Sequence, residues 1–341
     1  MMHETGFSQP PADAVPPSPF PFSTEHMLSW LRRFSVYGDF WMRYLHWGAR
    51  HCPWFMEPVF MAGFTLIFWA LCGSARNAVA RNLTFVLPGT SLLGNQFRAF
   101  RVFWNFAWTM TDLAHVRNGD DIITWEVSGM PDLLKLQAKE DGAVLLTAHM
   151  GSYDVAAPMF ANRFKCPIHM VRAPERMRES QEFQKNKRER QESEDFVVHY
   201  NEPGSMLGVE LARAIGEGGI VAIQGDRVLF DVSPMRLDFK PGVEWNIPRG
   251  PFILATVART TIHPVFIIRM GYRRYRVHAE SSFGVAIAGL DRNESQMKAA
   301  SQWNEVLRSV IEQYWYQWFV FEDVFASHSD AAKSPTAPPA I

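Results

Sequence analysis

The most chemically suggestive pair in the chain is His149 and Asp154. An apolar run, Val144-Leu145-Leu146, passes through Thr147 and Ala148 into His149, and Asp154 follows after four intervening residues. A helix beginning near Gly151 would carry Asp154 in its first turn. One turn rises only about 5.4 Å, so the carboxylate could reach back to the imidazole. A carboxylate on one ring nitrogen fixes the tautomer and makes the other nitrogen a positioned general base. Such a base would activate a hydroxyl or amine brought by a substrate, with neither Ser152 nor a cysteine needed as nucleophile. A serine hydrolase is disfavoured, because no Gly-x-Ser-x-Gly elbow is present. Metal ligation is disfavoured too: no second histidine or carboxylate is spaced to complete a site around His149.

Elements able to position this pair are legible around it. Continuous apolar or β-rich segments fall at 121–128, 143–147, 168–171, 196–198, 220–224, 262–269 and 274–279, with a possible hairpin arm at 236–239. Helical segments alternate with them at 130–139, 151–164, 175–194, 205–217 and 250–260, and a long one closes the series at 295–321. This alternation predicts an α/β fold with a mostly parallel or mixed central sheet covered by helices on both faces. In such sheets active residues gather beyond the carboxyl ends of strands. Three landmarks lie there: His149, Arg172, and the pair Asp226-Arg227. Arg172 and Arg227 could each bind a phosphate of acceptor or donor through forked hydrogen bonds, or form structural ion pairs. Asp226 could touch substrate, or orient an arginine or a turn. Arg249, before a Gly-Pro helix start, is a weaker binding candidate. Gly151 could let backbone approach a reacting carbonyl, or serve only as a turn.

The N-terminal part has a different character. Residues 26–50 read as a basic, aromatic helix with Trp30, Phe34, Tyr37, Trp41 and Tyr44 punctuated by Arg32, Arg33, Arg43 and Arg50. Residues 59–72 form the most apolar run, too short for a spanning helix of 18 or more residues. Both fit a helical module, 25–80, that docks on a membrane, with 59–72 partly inserted; the alternatives are a short full span by 59–72, or helices packed on the domain's own core. A further helix is expected over 93–116. Residues 1–24 and 327–341 are rich in proline and small polar residues and are expected to be disordered, the first without the pattern of a signal peptide. The remaining 81–326 would be one catalytic core.

Composition removes several classes. A net charge of −1 carries no footprint of nucleic-acid binding. Three scattered cysteines, Cys52, Cys72 and Cys166, fit neither a disulfide framework nor a zinc cluster. The helix over 175–194 mixes six basic residues with acidic ones, so it is either a docking face for an acidic partner or an ordinary solvated surface.

The order of blocks resembles the late, lauroyl/myristoyl-type lipid A biosynthesis acyltransferases within the lysophospholipid acyltransferase superfamily. Arg81-Asn82-Leu83 with Pro88, the block from Leu145 to Asp154, Val171-Arg172-Ala173-Pro174, Gly218 to Asp226, Pro248-Arg249-Gly250-Pro251, His263-Pro264-Val265 and Gln313 to Trp318 follow one another as that family's blocks do. Two departures stand out. Gly225-Asp226-Arg227 replaces an Asp-Gln-Asp block, and Asp238 to Gly242 replaces a Phe-Phe-Gly stretch. The resemblance implies a divergent enzyme without a cofactor. It would move a fatty acyl chain from an acyl carrier protein thioester, or a coenzyme A thioester, to a hydroxyl of a lipid A-like or other amphiphilic acceptor. It would work at the cytoplasmic face of the inner membrane, with His149 as base oriented by Asp154. A non-catalytic lipid-binding relative and a thioester or lipid hydrolase are the competing readings. The cluster Tyr314–Trp318 is expected to rest at the membrane surface or to pack in the core.

Overall fold

The computed structural model describes residues 39–138, 141–163, 166–172, 196–201, 205–228, 233–287 and 289–327. The expected charged helix over 175–194, the proposed disordered N-terminus and all of the C-terminal tail beyond Ser327 lie outside these residues. Ser327 itself does not start a tail: it pairs with Val243 in a short strand.

Four helices come first: α1 (Asp39–His51), α2 (Glu57–Leu71), α3 (Gly73–Val86) and α4 (Leu92–Arg117). The α/β part continues with β1 (Thr124–Ser128), α5 (Met130–Gln137), β2 (Ala143–Thr147), α6 (Tyr153–Arg163), β3 (Ile168–Arg172), β4 (Phe196–Tyr200), α7 (Leu207–Gly216) and β5 (Ile220–Gln224). A hairpin of β6 (Pro234–Lys240) and β7 (Val243–Pro248) follows, then α8 (Gly250–Val257), β8 (Thr261–Gly271), β9 (Arg274–Ala279) and β10 (Phe283–Gly284). The chain ends in α9 (Arg292–Tyr314), a 3₁₀ turn (Trp315–Gln317) and β11 (Phe325–Ser327).

The main sheet runs β1-β9-β8-β2-β5-β3-β4, with β10 added on β8. Strands β8, β2, β5, β3 and β4 are mutually parallel, whereas β9 and β10 run antiparallel to β8. The fold is therefore the expected α/β architecture with a mixed sheet. The hairpin β6–β7 pairs with β11 in a separate antiparallel sheet.

Strand β2 is buried along its whole length, as a central parallel strand covered on both faces must be. Val144 and Leu146 face the larger core, built from α7, α8, α9 and the hairpin. Ala143 and Leu145 face a second core under α5 and α6. Helix α9 begins with a capping box, in which the Asp291 carboxylate accepts from the Glu294 amide and the Glu294 carboxylate accepts from the Asp291 amide. It packs Trp303 flat against Phe266 of β8, with ring centroids 5.6 Å apart. The expected helix over 295–321 stops early, at Tyr314: the next three residues tighten into the 3₁₀ turn, and the chain then runs extended.

Helix α3 was not anticipated as a separate element. Its polar residues Arg76, Arg81 and Asn82 interrupt the apolar pattern, and it turns 91° from α2 at Cys72. No single helix among the described residues is long and apolar enough to cross a membrane, although the bent pair α2–α3 has that length and composition when taken together. Along α2 only Glu57, Met61 and Thr65 are buried, a single i, i+4, i+8 stripe. Met61 packs beside Trp108 of α4, and its sulfur accepts the Thr111 hydroxyl at 2.9 Å.

Candidate active site

The strand register brings two loops together. Strands β2 and β5 are parallel with Thr147 opposite Gln224. Two residues beyond each strand end are His149 and Asp226, and their side chains meet. His149 Nδ1 lies 2.6 Å from Asp226 Oδ1. The Asp226 carboxylate also accepts the His149 amide at 2.9 Å and the Trp318 indole N–H at 3.0 Å, both on Oδ2. Asp226 is fully buried. Burial alone would push its carboxyl up, yet the adjacent His149, through charge and hydrogen bonds, and then Arg227 hold it below the ordinary carboxylate value. An ionised carboxylate only accepts, so Nδ1 carries the ring proton of His149. Its Nε2 then presents a lone pair, and the Arg227 Nε–H donates to it at 3.2 Å.

The carboxylate hydrogen-bonded to the His149 ring is thus Asp226, not the expected Asp154. Asp154 does sit in the first turn of α6, but its carboxylate is held by two arginines. One oxygen pairs with Arg172 at the end of β3, and the other lies 3.7 Å from Arg117 at the end of α4. Both guanidiniums are nearly enclosed, and Arg172 also stacks over the Tyr153 ring at 5.2 Å. Asp154 ties α4, α6 and β3 together, a position that the four-residue spacing from His149 alone does not reveal.

The other expected residues divide. Arg227 and Asp226 are at His149, while Arg172 is one loop away with Asp154. Arg249 is not part of this cluster: its guanidinium donates to Gln296 and Asn293 at 3.1 and 2.7 Å, joining the start of α8 to α9. Gly151 is required by packing rather than by a reacting carbonyl. It has a φ of +56°, and a Cβ there would lie 1.8 Å from the Ile267 carbonyl oxygen of β8. Its amide is directed at the Gln317 carbonyl, 3.4 Å away.

Residues that the sequence did not nominate complete the setting. The segment after α9 wraps the His149 loop. Met150 bridges Trp318, and the Phe319 amide donates to the His149 carbonyl at 2.7 Å. Gln317 is fully buried and bonds both the amide and the carbonyl of Arg269. Tyr314, Gln317 and Trp318 therefore belong to the core, while Trp315 and Tyr316 are half-buried against it. On the far side, the Trp303 indole N–H donates to the Gly225 carbonyl at 2.9 Å and fixes the turn that carries Asp226. Arg227 Nη1 donates to Glu322 at 3.0 Å. The Gln-Trp-rich block was the one available signal for Trp318; nothing marked Glu322.

An apolar cavity opens beside these strand ends, between the sheet and α6. Leu145, Thr147, Tyr153, Met170 and Gln224 are among its walls. The His149 side chain, 16% exposed, lies just beyond the residues that line this cavity. The arrangement can accept one proton at Nε2 and stabilise the resulting imidazolium through Asp226. Among the described residues no group of three or more His, Cys, Asp or Glu could hold a metal ion. The comparison with curated proteins returns no match. The family model described as bacterial lipid A biosynthesis acyltransferase matches residues 28–326, and the chain belongs to that family.

Proposed function

We propose that the protein transfers a fatty acyl chain from an acyl carrier protein thioester to a hydroxyl of a lipid A-like acceptor at a membrane surface, with His149 as general base and Asp226 as its orienting partner. The observation that carries this reading is the Asp226–His149 hydrogen bond at 2.6 Å, which turns Nε2 away from the carboxylate, two residues beyond the strand whose last residue, Thr147, lines an apolar cavity. Nε2 takes the proton of the acceptor hydroxyl as its oxygen attacks the thioester carbonyl. The tetrahedral intermediate collapses with cleavage of the C–S bond, and the imidazolium returns its proton to the departing thiolate. No acyl-enzyme forms. The first carbons of the acyl chain lie in the cavity under α6, and Arg172, one loop away and paired with Asp154, is a candidate for binding an anionic group of either substrate.

Membrane seating is supported by the outer face of α1 and α2. Trp47, Trp54, Phe55, Val59, Phe60, Leu66, Ile67 and Leu71 are all exposed there. Exposed apolar side chains on two successive helices and the link between them, Trp included, suit the bilayer interface. We place the working site at the cytoplasmic face of the inner membrane, where carrier-protein thioesters are available.

Purified protein incubated with lauroyl-acyl carrier protein and under-acylated lipid A in mixed micelles tests the reading. Mass spectrometry should find the acceptor heavier by one acyl chain, and the product should vanish for His149→Ala. Release of free fatty acid alone, with the acceptor unchanged, would replace this reading with that of a hydrolase.

A further inference from the structure

Arg227 directly follows Asp226, and its guanidinium bridges two partners. Nε donates to His149 Nε2, the atom that must take the acceptor's proton, while Nη1 donates to Glu322. Glu322 is itself held. Its carbonyl accepts the Asn82 side-chain N–H at 2.7 Å, and the Asn82 oxygen accepts the Val324 amide at 3.3 Å. The neighbouring Asp323 is clamped by Arg81 through two hydrogen bonds of 2.8 and 2.6 Å. Upstream, the Phe319 amide is anchored on the His149 carbonyl. The strap 319–324 is therefore fixed at one end to the catalytic loop and at the other to α3. It carries Glu322 at a set distance from the base.

Resting on the acyl-transfer reading, we infer that Arg227 is a cap on the catalytic base. While its Nε–H occupies the Nε2 lone pair, water has no acceptor there and the bound thioester is protected from hydrolysis. An acceptor hydroxyl, delivered with the rest of a large ligand, exchanges with Nε. The guanidinium lifts about its Nη1–Glu322 contact, which acts as the pivot. Glu322 is a positioning residue that acts through Arg227, and Asn82 acts through Glu322. This assigns the Arg81-Asn82 motif a task at the active site although it lies on α3. Without the cap, water donates its proton to Nε2 and its oxygen attacks the thioester carbonyl. The C–S bond then breaks, and the proton passes from His149 to the thiolate. The products are one carboxylic acid and one thiol.

The test is the rate of thiol release from lauroyl-acyl carrier protein, and in parallel from lauroyl-coenzyme A, without any lipid acceptor. Arg227→Ala should hydrolyse the thioester about tenfold faster than wild type, the equivalent of losing one charge-assisted hydrogen bond at the base. Glu322→Ala should move the same way by a smaller factor, and Arg227→Lys should recover part of the protection. The added hydrolysis should disappear in the double variant His149→Ala/Arg227→Ala. A merely structural role, or a role in gripping substrate, would lower acceptor-free hydrolysis or leave it unchanged, and that result in both Arg227→Ala and Glu322→Ala overturns the cap. If wild type transfers acyl chains to lipid A while these hydrolysis rates stay flat, only the cap fails. If wild type transfers none, the proposed function falls and the cap with it.

Discussion

At the ends of β2 and β5, the Asp226 carboxylate is enclosed by three donors that the chain itself supplies: two from His149 and one from Trp318. On α2, by contrast, the chain buries one stripe, half-covers Phe64, Phe68 and Trp69, and leaves Val59, Phe60, Leu66, Ile67 and Leu71 facing outward. The crevice buries polar atoms and satisfies them internally, which fixes one tautomer and one geometry. The α1–α2 layer buries little, so its outer face needs a different environment to cover it. Under the proposed function, long-range hydrogen bonds specify the catalytic geometry and exposed side chains the location.

Substitutions should separate these two regimes. The largest effect is expected for His149→Ala, which removes the proton acceptor and should lower kcat by about 10⁴-fold with the fold intact, as read by acyl-transfer rates and circular dichroism. Asp226→Asn should follow at about 10³-fold, because an amide can donate to Nδ1 and invert the tautomer. Asp154→Asn breaks a different assembly. It should cost about 2 kcal/mol of stability in denaturant unfolding while kcat falls by no more than about tenfold. Trp318→Phe removes one donor from a buried carboxylate, which is expected to cost about 1.5–3 kcal/mol of stability. A collapse of kcat in Asp154→Asn equal to that in Asp226→Asn would erase the distinction between the two aspartates.

The seam between the regions should be pH-dependent. His115 Nε2 lies 3.1 Å from Glu57 at the start of α2, and its Nδ1 lies 2.7 Å from Asp120. Glu57 also accepts from Tyr272 and Arg273, both at 2.8 Å. The hydrogen bond to Glu57, opposed by burial and helped by Asp120, holds the His115 imidazole above its ordinary value. A raised folded-state value stabilises fully below the unfolded histidine pKa of about 6.5 and is lost as pH rises through the folded value. Thermal unfolding of wild type should therefore lose ground to His115→Gln as pH rises above about 6.5, and a constant gap would contradict the clamp. The smallest stability change belongs to the outer face of α2. Leu66→Glu should shift unfolding by no more than about 0.5 kcal/mol, yet it should abolish co-flotation with anionic vesicles.

Much of this was legible before the fold was known. Strands β2, β5 and β9 have the expected bounds: β2, parallel and fully buried, reads as an unbroken hydrophobic segment, whereas β9 alternates polar residues with buried ones. His149, Asp226 and Arg227 were recognisable as strand-end residues. The choice of carboxylate was not. Asp154 is near in sequence, whereas Asp226 is brought in only by the register of two strands whose pairing no local pattern encodes. The role of Trp318 was hidden for the same reason, since an aromatic cluster reads alike for a core and for a membrane rim. Arg249 and Gly151 were plausible from their neighbours, but one closes a helix contact and the other fits a tight approach to β8.

The most direct test of the account is the tautomer of His149, read by ¹⁵N NMR of histidine-labelled protein at a pH where the ring is neutral, with His149→Ala supplying the assignment. The account predicts a proton on Nδ1 in wild type, the same tautomer in Asp154→Asn, and a switch to Nε2 in Asp226→Asn. A proton on Nε2 in wild type, or a switch caused by Asp154→Asn and not by Asp226→Asn, would contradict it.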